Sequence, residues 1–230
     1  MILSRITLNL RSCEVARDLA DCQQMHRTIL NAFPAAASAP RREFGVLFRV
    51  EFPDAGNPCV LIQSRRAPDF AHLPDGYVVR PPEIKDVSGA YASLNAGMRL
   101  RFRLRANPTR KIETRSTPDG VRRNGRRVEL RSDRELLGWI ERKAASAGFR
   151  LLSVRCRTDA SGAAAGDPGA VRGFRGSAGA QRSALRFGSV LFEGSLEILD
   201  SQAFRVAVET GIGSAKAYGF GLLSLAGTGA

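Results

Sequence analysis

Between Met98 and Ala106, arginine and apolar residues take turns: Arg99, Arg101, Arg103 and Arg105 alternate with Leu100, Phe102, Leu104 and Ala106. In a β-strand a period of two sets four guanidinium groups on one face and the apolar residues on the other. The segment therefore belongs to a sheet with one covered face and one charged face. Like charges side by side repel unless something anionic lies over them; the other reading of such a run is a solvated basic surface. From Arg99 to Arg131 there are 12 basic and 3 acidic residues, a net of +9 within a formal total of +13. A positive field concentrated in this way favours an extended polyanion, nucleic acid before an anionic membrane. Lysine occurs only at Lys85, Lys111, Lys143 and Lys216, and the arginine that supplies the remaining charge suits phosphate forks and base edges.

The rest of the chain arranges itself on either side of that strand. Ile2 to Leu10 alternates as a half-buried strand, and Val15 to Phe33 has helical spacing, with a break where Asp21 and Gln24 read as a capping pair, so that a second helix starts near Cys22. Phe44–Phe52 and Cys59–Ser64 are strand candidates around the turn Pro53–Pro58, a hairpin pattern. A short, weaker segment runs from Pro68 to Arg80. Pro81-Pro82 and the polar stretch to Gly97 read as an interdomain connection. After the arginine strand, Ser132 caps a helix to Ala147 that Gly148 stops. Phe149–Arg157 is a strand. Thr158–Ala184 is rich in glycine and alanine and is expected to be mobile without a ligand or a plain disordered insertion, with Arg172, Arg175 and Arg182 as its features. Leu185–Leu199 returns to strand character, and Asp200 or Ser201 caps a helix to Glu209. Strand, helix, strand, strand, helix, strand, twice over, is the order of an α+β protein with tandem ferredoxin-like (βαββαβ) domains, each an antiparallel sheet with helices on one face. The expected division is residues 1–80, a linker over 81–97, and residues 98–230.

Near the end stands Gly211-Ile212-Gly213-Ser214-Ala215-Lys216-Ala217-Tyr218-Gly219-Phe220-Gly221. Two Gly-x-Gly pairs around one lysine let the backbone approach a bulky anion, and Gly211, Gly213, Ser214, Gly219 and Gly221 are candidates for that contact. No Gly-Lys-Ser/Thr ending follows, and the glycines precede a strand instead of opening a helix, so neither a P-loop nor a dinucleotide site fits. A tight turn with close backbone packing is the competing reading. Cys13, Cys22, Cys59 and Cys156 lack Cys-x-x-Cys spacing and have two histidines for company, which suggests neither zinc nor a disulfide framework. No acidic cluster or cofactor fingerprint implies a metal or organic cofactor. The N-terminus has no secretory or membrane-spanning apolar run, so a cytoplasmic protein is expected.

Four marks in this order resemble one family over nearly the whole chain: Met25-His26-Arg27-Thr28, Leu100-Arg101-Phe102-Arg103-Leu104-Arg105-Ala106-Asn107-Pro108, Val190-Leu191-Phe192-Glu193-Gly194, and the terminal glycine loop. They resemble the CasE-type CRISPR RNA endoribonucleases of the RAMP superfamily, which belong to the type I-E Cascade complex. The resemblance implies metal-independent cleavage of a repeat hairpin at the 3′ side of its stem. The 2′-OH attacks in line and leaves a 2′,3′-cyclic phosphate and a 5′-OH; such a reaction needs a proton acceptor, a donor for the leaving oxygen and donors for the developing charge. His26 matches the catalytic histidine, although its helical angle shares a face with Val15, Leu19 and Phe33, where a structural histidine would also sit. Gln23 stands where family members often carry tyrosine, and a glutamine can orient a phosphate or ribose but cannot act as an acid. Arg27 or Lys216 could stabilise charge. By the same resemblance the RNA stem lies over the basic face of the second domain, on Arg101, Arg103, Arg105, Asn107, Arg110, Lys111, Arg122, Arg123, Arg126 and Arg127, and a basic hairpin carrying Arg172, Arg175 and Arg182 grips the stem base. The implied partners are the CRISPR repeat hairpin and other Cascade subunits, with no membrane; a non-catalytic RNA-holding subunit is the alternative.

Overall fold

The computed structural model describes residues 1–34, 40–112, 127–158, 170–175 and 183–228. Along the chain run β1 (Ile2–Thr7), α1 (Cys13–Ala20), α2 (Cys22–Leu30), α3 (Pro40–Glu43), β2 (Leu47–Glu51), β3 (Cys59–Ser64), β4 (Glu83–Asp86), α4 (Ser88–Ala92), β5 (Arg99–Ala106), β6 (Thr109–Lys111), β7 (Arg127–Glu129), α5 (Asp133–Ser146), β8 (Phe149–Arg157), β9 (Ala170–Arg175), β10 (Ser183–Gly188), β11 (Val190–Ile198), α6 (Ser201–Thr210) and β12 (Leu223–Gly227). Two four-stranded sheets carry the architecture, in the orders β2-β3-β1-β4 and β12-β5-β11-β8, and every pairing in them is antiparallel. Numbered within its own unit, each sheet reads fourth, first, third, second strand. The fold is a tandem pair of ferredoxin-like units.

Local chemistry sets the element ends. Ser132 and Glu135 form a capping box at the start of α5. The carboxylate of Asp200 accepts from the backbone N–H groups of Gln202 and Ala203 to open α6. Each unit has its own apolar centre: Ile6, Val15, Met25, Ile29, Phe48 and Ile62 in the first, Leu104, Ile140, Phe149, Phe192, Phe204 and Leu223 in the second. The first unit departs from the full βαββαβ pattern, since only a 3-10 turn at Phe70–His72 stands where its second helix would be. Among the described residues no helix is long and apolar enough to cross a membrane.

Two expectations are corrected. Within the stretch read as a connection, Glu83–Asp86 is an edge strand bonded to β1, with Ile2 opposite Asp86; all four of its residues are exposed, so it shows no apolar alternation. The glycine-rich insertion is not featureless either. Ala170–Arg175 pairs with Ser183–Gly188 as a separate ribbon, and the strand read over Leu185–Leu199 divides at Ser189 into β10 and β11.

The arginine strand is β5, and its apolar side is buried as the alternation requires, but Arg105 is buried too, at 8% exposure. The anions over the other side come from this chain. Arg103 is held by Glu51 and Glu193, each at 2.6 Å, while Arg99 and Arg150 share Glu197. Glu51 also receives Arg49 Nε at 2.7 Å. Burial opposes the charge of Glu51, but Arg49 and Arg103 outweigh it and hold the carboxyl below its ordinary range.

Arg49 itself is 2% exposed. From β2 of the first unit it donates to the carbonyls of Leu222 at 3.0 Å and Arg103 at 3.2 Å, and to Ser224 Oγ at 2.9 Å, all in the second unit. Gln63 adds a buried bond from β3 to the carbonyl of Val208 at 2.9 Å. Removing one partner of such a network strands the others without solvent, which costs about 3 kcal/mol or more. Arg49→Ala should therefore lower the unfolding free energy by about 3 kcal/mol in urea denaturation; an unchanged midpoint would show that the guanidinium does not hold the two units together.

Candidate active site

Helix α2 opens where Asp21 leaves helical geometry. Its backbone is extended (φ −132°, ψ 105°) and its carboxylate caps Gln23 N at 2.9 Å. The break resets the helical phase, so α2 buries Cys22, Met25, Thr28 and Ile29. His26 consequently sits at the half-buried margin, not on the core side with Val15, and Arg27 is exposed beside it. Gln23, three residues before His26, lies on the same edge of the helix. Burial lowers the pKa of His26 below 6.5, with Arg41 and Arg27 pushing the same way.

Facing α2 is the glycine loop, which continues from α6. Gly211 and Gly221 both have positive φ, at 78° and 90°. A Cβ on Gly211 would stand 2.9 Å from the Gly221 carbonyl and from Leu47, and one on Gly221 would stand 2.9 Å from the Ile212 carbonyl. The two ends of the loop are zipped by Ile212 N donating to Gly221 O at 2.9 Å, and Gly221 N donates to Arg105 O at 2.8 Å. Gly213 lies against the Trp139 ring and Gly219 against Phe48; Ser214 Oγ donates to the carbonyl of buried Asn107 at 3.3 Å. Close packing thus accounts for the glycines.

The zipped loop presents a 3-10 turn, Lys216–Tyr218, introduced by Ala215 in the left-handed region at φ 58°, a conformation that costs a non-glycine residue about 1 kcal/mol. Lys216 Nζ donates to the Thr210 carbonyl at 2.8 Å. Burial lowers its pKa, followed by the nearby charges of Arg41 and Lys143. Tyr218 Oη donates to Gln23 Oε1 at 3.2 Å, and its ring stands edge-on to His26 with centroids 6.0 Å apart. On its other side Tyr218 stacks on Phe187 of β10 at 4.8 Å.

The β9–β10 ribbon also touches the start of α2. Phe174 N donates to Asp21 Oδ1 at 3.2 Å, and a Cβ at Gly173 would meet Asp21 Oδ1 at 2.6 Å and Cys22 Sγ at 2.7 Å. Arg172 is exposed on this ribbon, while Arg182, with Arg122, Arg123 and Arg126, lies outside the described residues, as does the side chain of Arg175. Arg110, Lys111 and Arg127 are exposed on the β6–β7 hairpin, and Arg101 is exposed on β5.

The structure thus brings His26 and Gln23 of α2 against Tyr218 of the loop, while Lys216 of the same turn gives its ammonium group to the Thr210 carbonyl. Arg41 and Tyr218 complete the site, and neither was singled out from sequence. Tyr218 lay within the glycine loop, where lysine and glycine drew the reading; Arg41 sits in a short Pro-Arg-Arg-Glu helix without a motif. Among the described residues, Arg27, Arg41, Lys143 and Lys216 have no carboxylate in ion-pair range, and no three His, Cys, Asp or Glu side chains gather as a metal-binding set.

Frame and site define a class: a tandem ferredoxin-like protein with a half-buried histidine beside Arg27 and Arg41 where its two units meet, neither cation paired with a carboxylate among the described residues. The family described as CRISPR associated protein matches residues 1–227. The CRISPR-associated endoribonuclease Cse3 of Thermus thermophilus is 33% identical, over 98% of this chain and 100% of that protein, and the Cascade subunit CasE of Escherichia coli is 31% identical over 90% and 92%. A solved structure of Cse3 bound to a 19-nucleotide RNA aligns with TM-score 0.76 at 32% identity, covering 98% of this chain and 100% of that one; Cas6e of Escherichia coli aligns at 0.66 with 28% identity, covering 99% and 100%. The chain belongs to the CRISPR-associated protein family, in its CasE-type branch.

With only two histidines in the chain, nuclear magnetic resonance can follow His26 directly. In RNA-free protein its ring signals should titrate with a midpoint below 6.5, leaving a neutral imidazole at pH 7; a midpoint at or above that value would contradict the burial and the cationic surroundings.

Proposed function

We propose that the chain is an endoribonuclease that cuts precursor CRISPR RNA at the 3′ base of the repeat hairpin and stays with the mature RNA alongside other Cascade subunits. The observation that carries this reading is His26, half-buried and biased toward its neutral form, beside cations that among the described residues pair with no carboxylate. Relatives described as endoribonucleases, one of them solved with RNA, and Cas6e-like chains within an RNA-guided surveillance complex support the substrate and the assembly.

The proposed reaction uses no metal. Neutral His26 takes the proton of the 2′-OH as that oxygen attacks the adjacent phosphorus in line. The bond from phosphorus to the 5′ oxygen breaks, and the departing oxygen takes up a proton from solvent water, which leaves a 2′,3′-cyclic phosphate and a 5′-OH. Lys216 and Arg41 supply positive charge for the phosphate as negative charge develops on it, and among the described residues no carboxylate forms an ion pair with either. A bound phosphate raises the pKa of His26, so the proton is held more firmly as charge builds. Exposed Arg101, Arg110, Lys111, Arg127 and Arg172 supply phosphate contacts, while Gly211, Gly219 and Gly221 shape the loop that carries Lys216. Gln23, unable to give a proton, favours the second reading, an RNA-holding subunit that does not cut.

In EDTA the wild-type protein should cut the cognate repeat RNA at one site and spare an RNA with a single 2′-deoxy nucleotide before the cut, while His26→Ala binds but loses cleavage at least about a hundredfold. Tight binding without any cut would establish the second reading instead. For affinity, Arg172→Ala should weaken binding to all hairpins alike and reduce the slope of log affinity against log salt by about 1; an unchanged slope removes Arg172 from the phosphate contacts.

A further inference from the structure

We propose that Tyr218 is a second catalytic residue whose hydroxyl leaves Gln23 and donates a hydrogen bond to a non-bridging oxygen of the scissile phosphate. The inference rests on the endoribonuclease reading of the His26 site and adds a donor to it.

Four observations point to this role. Tyr218 and Lys216 belong to one 3-10 turn, so the loop that delivers the ammonium group delivers the phenol as well. The ring is fixed on two sides, stacked on Phe187 at 4.8 Å and edge-on to His26 at 6.0 Å, contacts that a phenylalanine would also make. That hydroxyl meets Gln23 Oε1 at 3.2 Å, beyond the 2.5–3.0 Å common for O–H donors to oxygen. An anionic phosphate oxygen is a stronger acceptor than a neutral amide and draws such a donor to a shorter bond. Finally, Gln23 and His26 occupy one edge of α2, so a phosphate placed for His26 to reach the adjacent 2′-OH lies next to the phenol. Gln23 then acts as a positioning residue: its amide oxygen holds the hydroxyl toward the site before RNA arrives, and once the hydroxyl has moved to the phosphate that oxygen is left to accept from a ribose hydroxyl.

No proton is transferred in this role. The phenol keeps its hydrogen and changes acceptor, from amide to phosphate, as negative charge grows on the non-bridging oxygens.

The test compares wild type, His26→Ala and Tyr218→Phe in single-turnover cleavage of the cognate repeat hairpin, with RNA affinity measured in parallel. Tyr218→Phe should cut about ten- to a hundredfold more slowly, the range expected for losing a donor to a charged group, with affinity within about twofold of wild type, because Phe retains the ring contacts. The decisive arm replaces each non-bridging oxygen of the scissile phosphate by sulfur, a weak acceptor. Wild type should lose rate with one of the two diastereomers, and Tyr218→Phe should lose little further with that same diastereomer. Equal sulfur effects in wild type and Tyr218→Phe, or a Tyr218→Phe rate within twofold of wild type, would overturn the proposal. A wild type that never cuts, or a His26→Ala variant that cuts as well as wild type, would instead remove the endoribonuclease reading beneath it.

Discussion

One buried guanidinium holds the two halves of this molecule in register. Arg49 rises from the first sheet and spends its donors on backbone and side-chain oxygens of the second, at Arg103, Leu222 and Ser224, with Glu51 as its counter-ion. Burial works against its charge, and the neighbouring carboxylates offset that only in part. Such a group is tolerated where geometry must be specified, because few alternative arrangements satisfy so many donors at once. What it specifies is the approach of the glycine loop to the first unit, where Gly211 fits against Leu47 and Gly219 against Phe48. The site is assembled across that seam: α2 supplies His26 and Gln23, and the loop supplies Lys216 and Tyr218. Small rotations of one unit against the other would part His26 and Gln23 from Tyr218, so domain packing and site geometry are one constraint.

The electrostatic arrangement separates two kinds of arginine. Those on β5 and its neighbours are laced to Glu51, Glu193 and Glu197, so part of the positive strip predicted to await an anion is already compensated. Around His26 the opposite holds. Arg41 pushes down the pKa of both His26 and Lys216, and no acidic side chain among the described residues offsets it. Mutual repulsion of this kind disfavours the cationic forms in the free protein and is relieved when a phosphate enters.

Much of the frame was legible because it rests on short-range chemistry. The β5 alternation, the Asp21 break, the Ser132 cap and the Asp200 cap each declare an element within a few residues. The parts that were not legible depend on partners far along the chain. Glu83–Asp86 is a strand only because β1 offers it an edge, and with every side chain exposed it carries no apolar period. Ala170–Arg175 is a strand because β10 pairs with it. The acids that neutralise β5 come from β2 and β11, and the Tyr218–Gln23 contact joins residues 195 positions apart. His26 combines the two: its angle on a continuous helix shares the core face, but the break at Asp21, itself legible as a capping pair, turns it to the margin.

The span of the Arg49 network has a consequence for how the chain matures on the ribosome. Its acceptor at Leu222 is made 173 residues after it, and domains tend to fold in the order in which they emerge. The first unit can close around Ile6, Met25 and Ile62 early, but its guanidinium must stay hydrated until β12 has been synthesised. An early product would thus carry the histidine helix without the loop that faces it. Translation itself would postpone the arming of the site until the glycine loop and β12 have been made.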